Sequence, residues 1–296
     1  MKCGFVSIVG RPNVGKSTLL NQILGMKLAI TSNVSGTTRN IINGIYNDRD
    51  SQIIFVDTPG IHKPNDKLGS LLNKKAYNQT EGVDIILFLV DISKGFGKGD
   101  EFVLNRLKEA DVPIYLLLNK IDLVKNKEEL LKEINRLKDY YPFKEIIPLS
   151  AKKDDNVDLL IQCLKRDLPE SDKIYSEEEL TNVTTRFIMA EFVREKVLEL
   201  TREEIPHTVT CFVENFEEDE KLVHIQVVII VDRDNIKKII IGKQGSLLKE
   251  IGTRARKDME EFLGKKVFLE TYVKTLKNWR DQEKYFVELG LREEDE

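Results

Sequence analysis

Phe5 to Gly10 read FVSIVG and Gly10 to Ser17 read GRPNVGKS. An apolar run of strand length, a loop with glycines at its first and sixth positions, and a Lys-Ser pair opening the amphipathic stretch STLLNQILG follow the strand, loop and helix order in which a glycine-rich loop wraps phosphate. Gly10 and Gly15 allow the backbone to curl so that successive N–H groups face inward. Lys16 sets a cation on the outer phosphates, and Ser17 offers a hydroxyl to Mg2+. Gly10, Arg11, Pro12, Asn13, Val14, Gly15, Lys16, Ser17 and Thr18 are therefore expected to touch nucleotide.

Working outward, short apolar runs alternate with longer amphipathic ones. IIFVDTPG, IILFLVD, IYLLLNKID and KEIIPLSAK read as buried parallel strands, each ending in a polar loop. LGSLLNKKAYNQT, DEFVLNRLKEA, KEELLKEINRLKDYY and VDLLIQCLKRDL read as the crossover helices. The pattern predicts an α/β domain with a mostly parallel sheet and helices on both faces, binding ligand at the carboxyl ends of its strands.

The remaining motifs fall at those ends. DTPG, from Asp57 through Thr58 and Pro59 to Gly60, puts a carboxylate near the Mg2+ shell and the Gly60 N–H near the terminal phosphate. NKID, from Asn119 and Lys120 to Asp122, explains base choice. The Asp122 carboxylate can accept two parallel hydrogen bonds from guanine, a pair that adenine does not offer. SAK, Ser150 to Lys152, places the Ala151 N–H where it could meet the guanine oxygen.

GRPNVGKS, GTTRN, DTPG, NKID and SAK, in that order over Met1 to about Asp172, resemble the translation-factor-related GTPases. The resemblance implies a P-loop domain holding Mg2+ with GTP or GDP, and a switch in which Thr38, the third residue of GTTRN, closes on the metal and the terminal phosphate. Lys16, Thr38 and Gly60 would then carry catalysis, with Ser17, Thr38 and Asp57 as the Mg2+ ligands. One departure concerns mechanism: Gly60 is followed by Ile61, a nucleotide-site position whose side chain has no donor or acceptor to orient water as a glutamine does there in Ras-like enzymes. Relatives with an apolar residue at this position often carry an asparagine in the loop that helps ligate K+, and Asn13 occupies it. A K+ ion there would supply positive charge to the transition state. Asn13 also reads as a turn residue that tolerates unusual backbone angles.

Past KRDLPESDKIYSEEEL the pattern changes. Residues 173–181 read as a solvated acidic linker between a GTPase domain over 1–172 and a second domain over 182–296. The second half predicts a helix, two strands, two helices and a strand, a compact α+β order. Its IIIGKQG, from Ile239, Ile240 and Ile241 to Gly242, Lys243, Gln244 and Gly245, lies between two helices and lacks the Lys-Ser or Lys-Thr of a nucleotide loop. It reads instead as a backbone seat for single-stranded RNA, with the isoleucines flanking bases. From Arg233 to Lys257 eight Lys or Arg face two acids, a local charge of +6. Arg254, Arg256 and Lys257 extend that charge along the following helix.

Residues 202–277 resemble a type-two KH module. A GTPase with this motif set and one such module at its carboxyl end resembles the ribosome-assembly GTPases. That family implies binding to the 3′ end of small-subunit ribosomal RNA, maturation of the small ribosomal subunit, and peripheral membrane association in some members. Two other functions fit fewer residues: a catalytically silent, nucleotide-gated RNA adaptor, suggested by Ile61, and an RNA-modifying enzyme, for which the second half supplies no extra nucleophile or metal cluster.

The chain of 296 residues is long enough for two cores, and its 41% apolar and 32% charged residues are those of a globular protein. A net charge of −4 excludes an overall basic nucleic-acid binder and leaves the local patch as the test. Cys3, Cys163 and Cys211 follow no metal-ligand spacing and read as free thiols. No leader pattern and no apolar run near the roughly 20 residues of a membrane span are present, so a cytoplasmic location is expected.

Overall fold

The computed structural model describes residues 1–32, 37–61, 67–79, 82–201 and 205–282. The chain divides into two compact units, the first made of Met1–Ala29, Thr38–Lys63 and Leu71–Asn182, the second of Ile30–Thr37, Pro64–Ser70 and Val183–Glu296.

In the first unit β1 (Lys2–Gly10), β2 (Ile42–Asn47), β3 (Ser51–Asp57), β4 (Ile85–Asp91), β5 (Ile114–Asn119) and β6 (Glu145–Pro148) form a sheet in the order β2-β3-β1-β4-β5-β6. β3, β4 and β5 are buried at every residue, as strands covered on both faces must be. On one face Phe88, Val90, Leu116 and Leu118 pack with Val103, Leu104 and Leu107 of α3 (Lys98–Leu107) and Leu137 of α4 (Lys127–Tyr140). On the other, the Tyr115 hydroxyl donates to Asp167 Oδ2 at 2.6 Å, at the end of α5 (Val157–Asp167). α1 (Lys16–Leu24) and α2 (Lys67–Asn78) complete the crossovers.

β2, which the sequence pattern did not disclose, pairs antiparallel with β3 and makes the sheet mixed. The parallel registers set Ile8 beside Asp57, Gly10 beside Leu89 and Asp91 beside Asn119. The carboxyl ends of four strands, β1, β3, β4 and β5, thus converge at one edge.

The linker expectation needs revision. Gln52, fully buried in β3, accepts from the Ile174 and Tyr175 N–H groups at 2.8 and 2.9 Å and donates to the Tyr175 carbonyl at 2.9 Å. Ile45 N–H donates to the Leu180 carbonyl at 3.0 Å, and Asn43 N–H to Asn182 Oδ1 at 2.8 Å. Much of residues 174–182 is therefore tied to the sheet edge through backbone groups, which the acidity of the segment does not foretell.

In the second unit β7 (Thr210–Glu218) and β8 (Leu222–Val231) are antiparallel, and β9 (Lys266–Thr275) lies parallel to β8. α6 (Thr185–Leu200) packs on β7 and on α8 (Ser246–Leu263), where Phe192 meets Phe262 edge-on at 5.8 Å. Lys196 bridges Glu195 and Asp258 of α8 at 2.8 and 2.9 Å. α7 (Asp234–Ile241) precedes the glycine loop. The second unit is thus α+β, as the element order implied.

Candidate nucleotide and RNA sites

The loop after β1 reaches α1 through two left-handed residues, Asn13 at φ 64° and Gly15 at φ 104°. Asparagine tolerates that region and glycine is unstrained there. Glycine is also required at position 15 by space, because an added Cβ would lie 2.3 Å from Asn119 Nδ2. That amide donates to the Val14 carbonyl at 2.7 Å, while Asn119 Oδ1 accepts from the Ala151 N–H at 3.0 Å. Asn119 therefore fastens the phosphate loop to the SAK turn. α1 begins with no side-chain cap and no acid in its first turn, Thr18 included, which leaves its N-terminus suited to an anion.

Lys16 is buried, and its ammonium donates to the carbonyls of Gly10 and Arg11 at 3.1 and 3.0 Å. Burial lowers its pKa to about 8, opposed by the charge of Asp57. Ser17 Oγ donates to Asp57 Oδ2 at 2.8 Å and lies 3.0 Å from Thr38 Oγ1. Since serine has one hydroxyl hydrogen, Thr38 is the donor in the second contact. Asp57 is fully buried; burial pushes its pKa up to about 6 against the charge of Lys16 and the Ser17 hydrogen bond. Its Oδ1 is buried with no hydrogen-bond partner. Of GTTRN, Gly36 lies outside the described residues; Thr37 is buried and Thr38 half-buried.

Thr58 donates to the Ile8 carbonyl at 2.8 Å, and a Cβ on Gly60 would come within 2.9 Å of the Pro12 backbone. Ile61 lies in the core with Phe88 and Val90, and its N–H donates to the Gly10 carbonyl at 3.2 Å. Its side chain thus packs into the core beneath the loop. Arg11 reaches away to Asp100 at 3.3 Å.

At the base-recognition end, Ser150 Oγ donates to Asp122 Oδ1 at 2.6 Å and aims an otherwise exposed carboxylate. The Ala151 N–H, expected to await a guanine oxygen, is engaged by Asn119; Lys152 is exposed. Lys120 spans the Asn13 carbonyl at 2.7 Å and Asp91 Oδ2 at 2.8 Å. Asp91 escaped the sequence reading, although its place at the carboxyl end of IILFLVD was a signal. Burial opposes its ionisation, but hydrogen bonds from Lys120 and Ser93 hold its carboxyl below the usual range.

In the second unit, Gly242 (φ 74°), Gln244 (φ 51°) and Gly245 (φ 77°) turn the chain between α7 and α8. A Cβ on Gly242 would lie 2.9 Å from the Leu247 backbone nitrogen, whereas one on Gly245 meets nothing within 4 Å. A groove of about 400 Å3 runs from this turn between α8 and β9, lined by Gly245, Leu248, Lys249, Gly252, Thr253, Arg256, Leu269 and Thr271. The helical period explains which expected residues reach it. Arg256 lies on the Gly245 face; Arg254, half a turn away, pairs with Glu250 at 2.6 Å; Lys257 is exposed without lining the groove.

The isoleucine triplet also divides. Ile240 is fully buried in the core, Ile241 is half-buried and Ile239 is exposed, so the three do not flank one site together. Lys243 and Gln244 are exposed at the turn. Lys249 and Leu248 were legible from their helical spacing to Arg256; Leu269 and Thr271 were not, because only the parallel pairing of β9 with β8 brings them alongside α8.

Two known families match separate parts of the chain: a 50S ribosome-binding GTPase over residues 5–120 and a KH domain over residues 204–280. A crystal structure of Era with MgGDPNP and nucleotides 1506–1542 of 16S ribosomal RNA is similar at 41% identity, covering 98% of this chain and 99% of that one, with a TM-score of 0.95. A single-residue variant of Aquifex aeolicus Era bound to GDP.AlF4− is similar at 40% identity with the same coverage and TM-score.

Proposed function

Since the chain belongs to the Era family of GTPases, we infer that it hydrolyses Mg-GTP in its first unit and holds the 3′ end of small-subunit ribosomal RNA in its second, acting in maturation of that subunit. The observation that carries the nucleotide half is the buried Asp57 carboxylate with an unpartnered oxygen, joined to Ser17 and through it to Thr38. Three hard oxygen donors of this kind fit Mg2+. Ser17, Thr38 and Asp57 would hold the ion, which when bound shields the charge on the outer phosphates. A phosphate beside Lys16 would favour its ammonium form, and a dication beside Asp57 its carboxylate, so each offsets the burial of the side chain it touches.

Ile61, packed into the core, supplies no polar group to the attacking water. Positive charge from K+ near Asn13 is the substitute we favour, with slow intrinsic hydrolysis as its consequence. The left-handed backbone at Asn13 gives the asparagine a second reason to be there. Asn13→Gly, which tolerates the same backbone, separates the two. Multiple-turnover phosphate release from GTP should be several-fold faster in K+ than in Na+ for the parent, and equal in both salts for the variant. Equal rates for the parent remove the K+ role, and no turnover in either salt favours the silent adaptor.

Coupling between nucleotide and RNA has a physical route in the chain itself. Ile30–Thr37 groups with the second unit, where the Thr31 N–H donates to Glu195 at 2.9 Å and Arg194, buried and paired with Glu191, donates to the Thr37 carbonyl. Thr37 is bonded covalently to Thr38. A phosphate-dependent shift of Thr38 therefore pulls on a segment anchored to α6. The RNA half rests on the groove between α8 and β9, with Lys249 and Arg256 on it. A cytoplasmic protein fits this work; among the described residues no helix is long and apolar enough to cross a membrane, and peripheral membrane association is carried by the family likeness alone.

A further inference from the structure

Gly252 sits in the seventh position of α8, an 18-residue helix, at ordinary helical backbone angles. Glycine in a helix interior is unfavourable relative to alanine, through the backbone entropy it loses on folding. The fold gives no return for that loss. A Cβ added at Gly252 would meet only Thr271 Oγ1 and Cγ2, at 3.9 and 4.0 Å, which is ordinary contact. Gly242 differs, because the backbone nitrogen of Leu247 blocks a side chain there.

What distinguishes Gly252 is its place on the groove. It lines the wall midway between the turn at Gly245 and the cation of Arg256, with Leu248 and Lys249 on its own helix and Leu269 and Thr271 across from it. A bare peptide there exposes a flat patch flanked by two leucines, with a threonine hydroxyl opposite. Those are the features that accept the face of one planar ring and one polar edge. Lys249 and Arg256 supply charge for the backbone attached to that ring.

On the reading that this groove takes single-stranded RNA, we propose that Gly252 is a specificity-determining residue: its missing side chain lets one nucleobase lie directly against the α8 backbone, opposite Thr271. A methyl group at that point holds the base off by more than the tolerance of a stacked or hydrogen-bonded contact. The fold and the ligand therefore make opposite demands on this residue, and alanine should satisfy the first while harming the second.

The test uses the full chain loaded with a non-hydrolysable GTP analogue, titrated with labelled oligoribonucleotide of the 16S segment 1506–1542 bound by the relative. Abasic replacements are made at each nucleotide in turn. Gly252→Ala should raise the melting temperature by a few degrees and weaken RNA binding roughly tenfold to a hundredfold, the range set by one stacked base. The slope of affinity against salt should stay as in the parent, since phosphate contacts are untouched. One abasic position should weaken the parent and leave the variant unchanged.

A variant that binds as tightly as the parent overturns the proposal. So does one that melts lower than the parent, or one equally sensitive to every abasic position that affects the parent. A parent that retains no RNA at all removes the RNA reading and this inference with it; tight binding by the parent with an indifferent variant removes this inference alone.

Discussion

Replacing Asp122 with asparagine should lower affinity for GTP roughly a thousandfold and erase the preference for GTP over ATP. Guanine presents two neighbouring N–H donors. A carboxylate accepts both, and its charge strengthens each bond. Ser150 already fixes one oxygen of Asp122 at 2.6 Å, so the acceptor pair is oriented before ligand arrives. An asparagine amide turns an N–H2 toward a guanine donor, which leaves both groups without an acceptor under the base. Xanthine carries an oxygen where guanine carries its amino group, so Asp122→Asn should bind XTP more tightly than GTP. Calorimetric titration with the three nucleotides reads all of this at once. A variant with the parent's GTP-to-ATP ratio means that Asp122 does not read the base.

The second large effect concerns the turn before α8. Gly245→Asp should weaken RNA binding on the order of a hundredfold at low salt. This position is the better probe of the two glycines. A side chain at Gly242 collides with Leu247, whereas one at Gly245 enters open space. Aspartate also tolerates the left-handed backbone better than most residues, and an acid at the start of α8 is favourable to the helix. Loss of binding therefore reports a carboxylate placed where a phosphodiester should pass and not a collapsed fold, which an unchanged cooperative melting transition checks. Retained RNA affinity at low salt would show that the strand does not cross this turn.

The first unit was largely legible because its signals are local. A buried parallel strand is a continuous apolar run, and the loop that ends it carries its chemistry in consecutive residues, as in GRPNVGKS, DTPG and NKID. β2 was illegible for the complementary reason. Ile42–Asn47 reads INGIYN, with no sustained run or alternation, and its glycine fits close to Leu20 and Leu24 of α1, a contact that only the assembled sheet creates. The tie between Gln52 and residues 174–175 is likewise invisible in sequence, since it joins residues more than a hundred positions apart.

Around the turn before α8, a helix read as a line hides which residues share a face. Charge summed over Arg233 to Lys257 finds the patch but not its face. Projection at 3.6 residues per turn sends Arg254 to the far side and brings Lys249 and Gly252 beside Arg256. The same geometry sends Ile240 inward while Ile239 stays out. Ile61 illustrates the reverse case. Its apolar character announced that it could not orient water, and its burial behind the phosphate loop supplies the structural use of that character.

Coupling of the two units through nucleotide state is the claim on which the account turns. RNA affinity of the full chain, measured with the 16S segment 1506–1542 in saturating non-hydrolysable GTP analogue and again in saturating GDP, tests it most directly. The account predicts binding roughly tenfold or more tighter in the analogue, with the preference for the analogue over GDP raised by the same factor when RNA is present, as linkage requires. Equal RNA affinity in the two nucleotide states would contradict it.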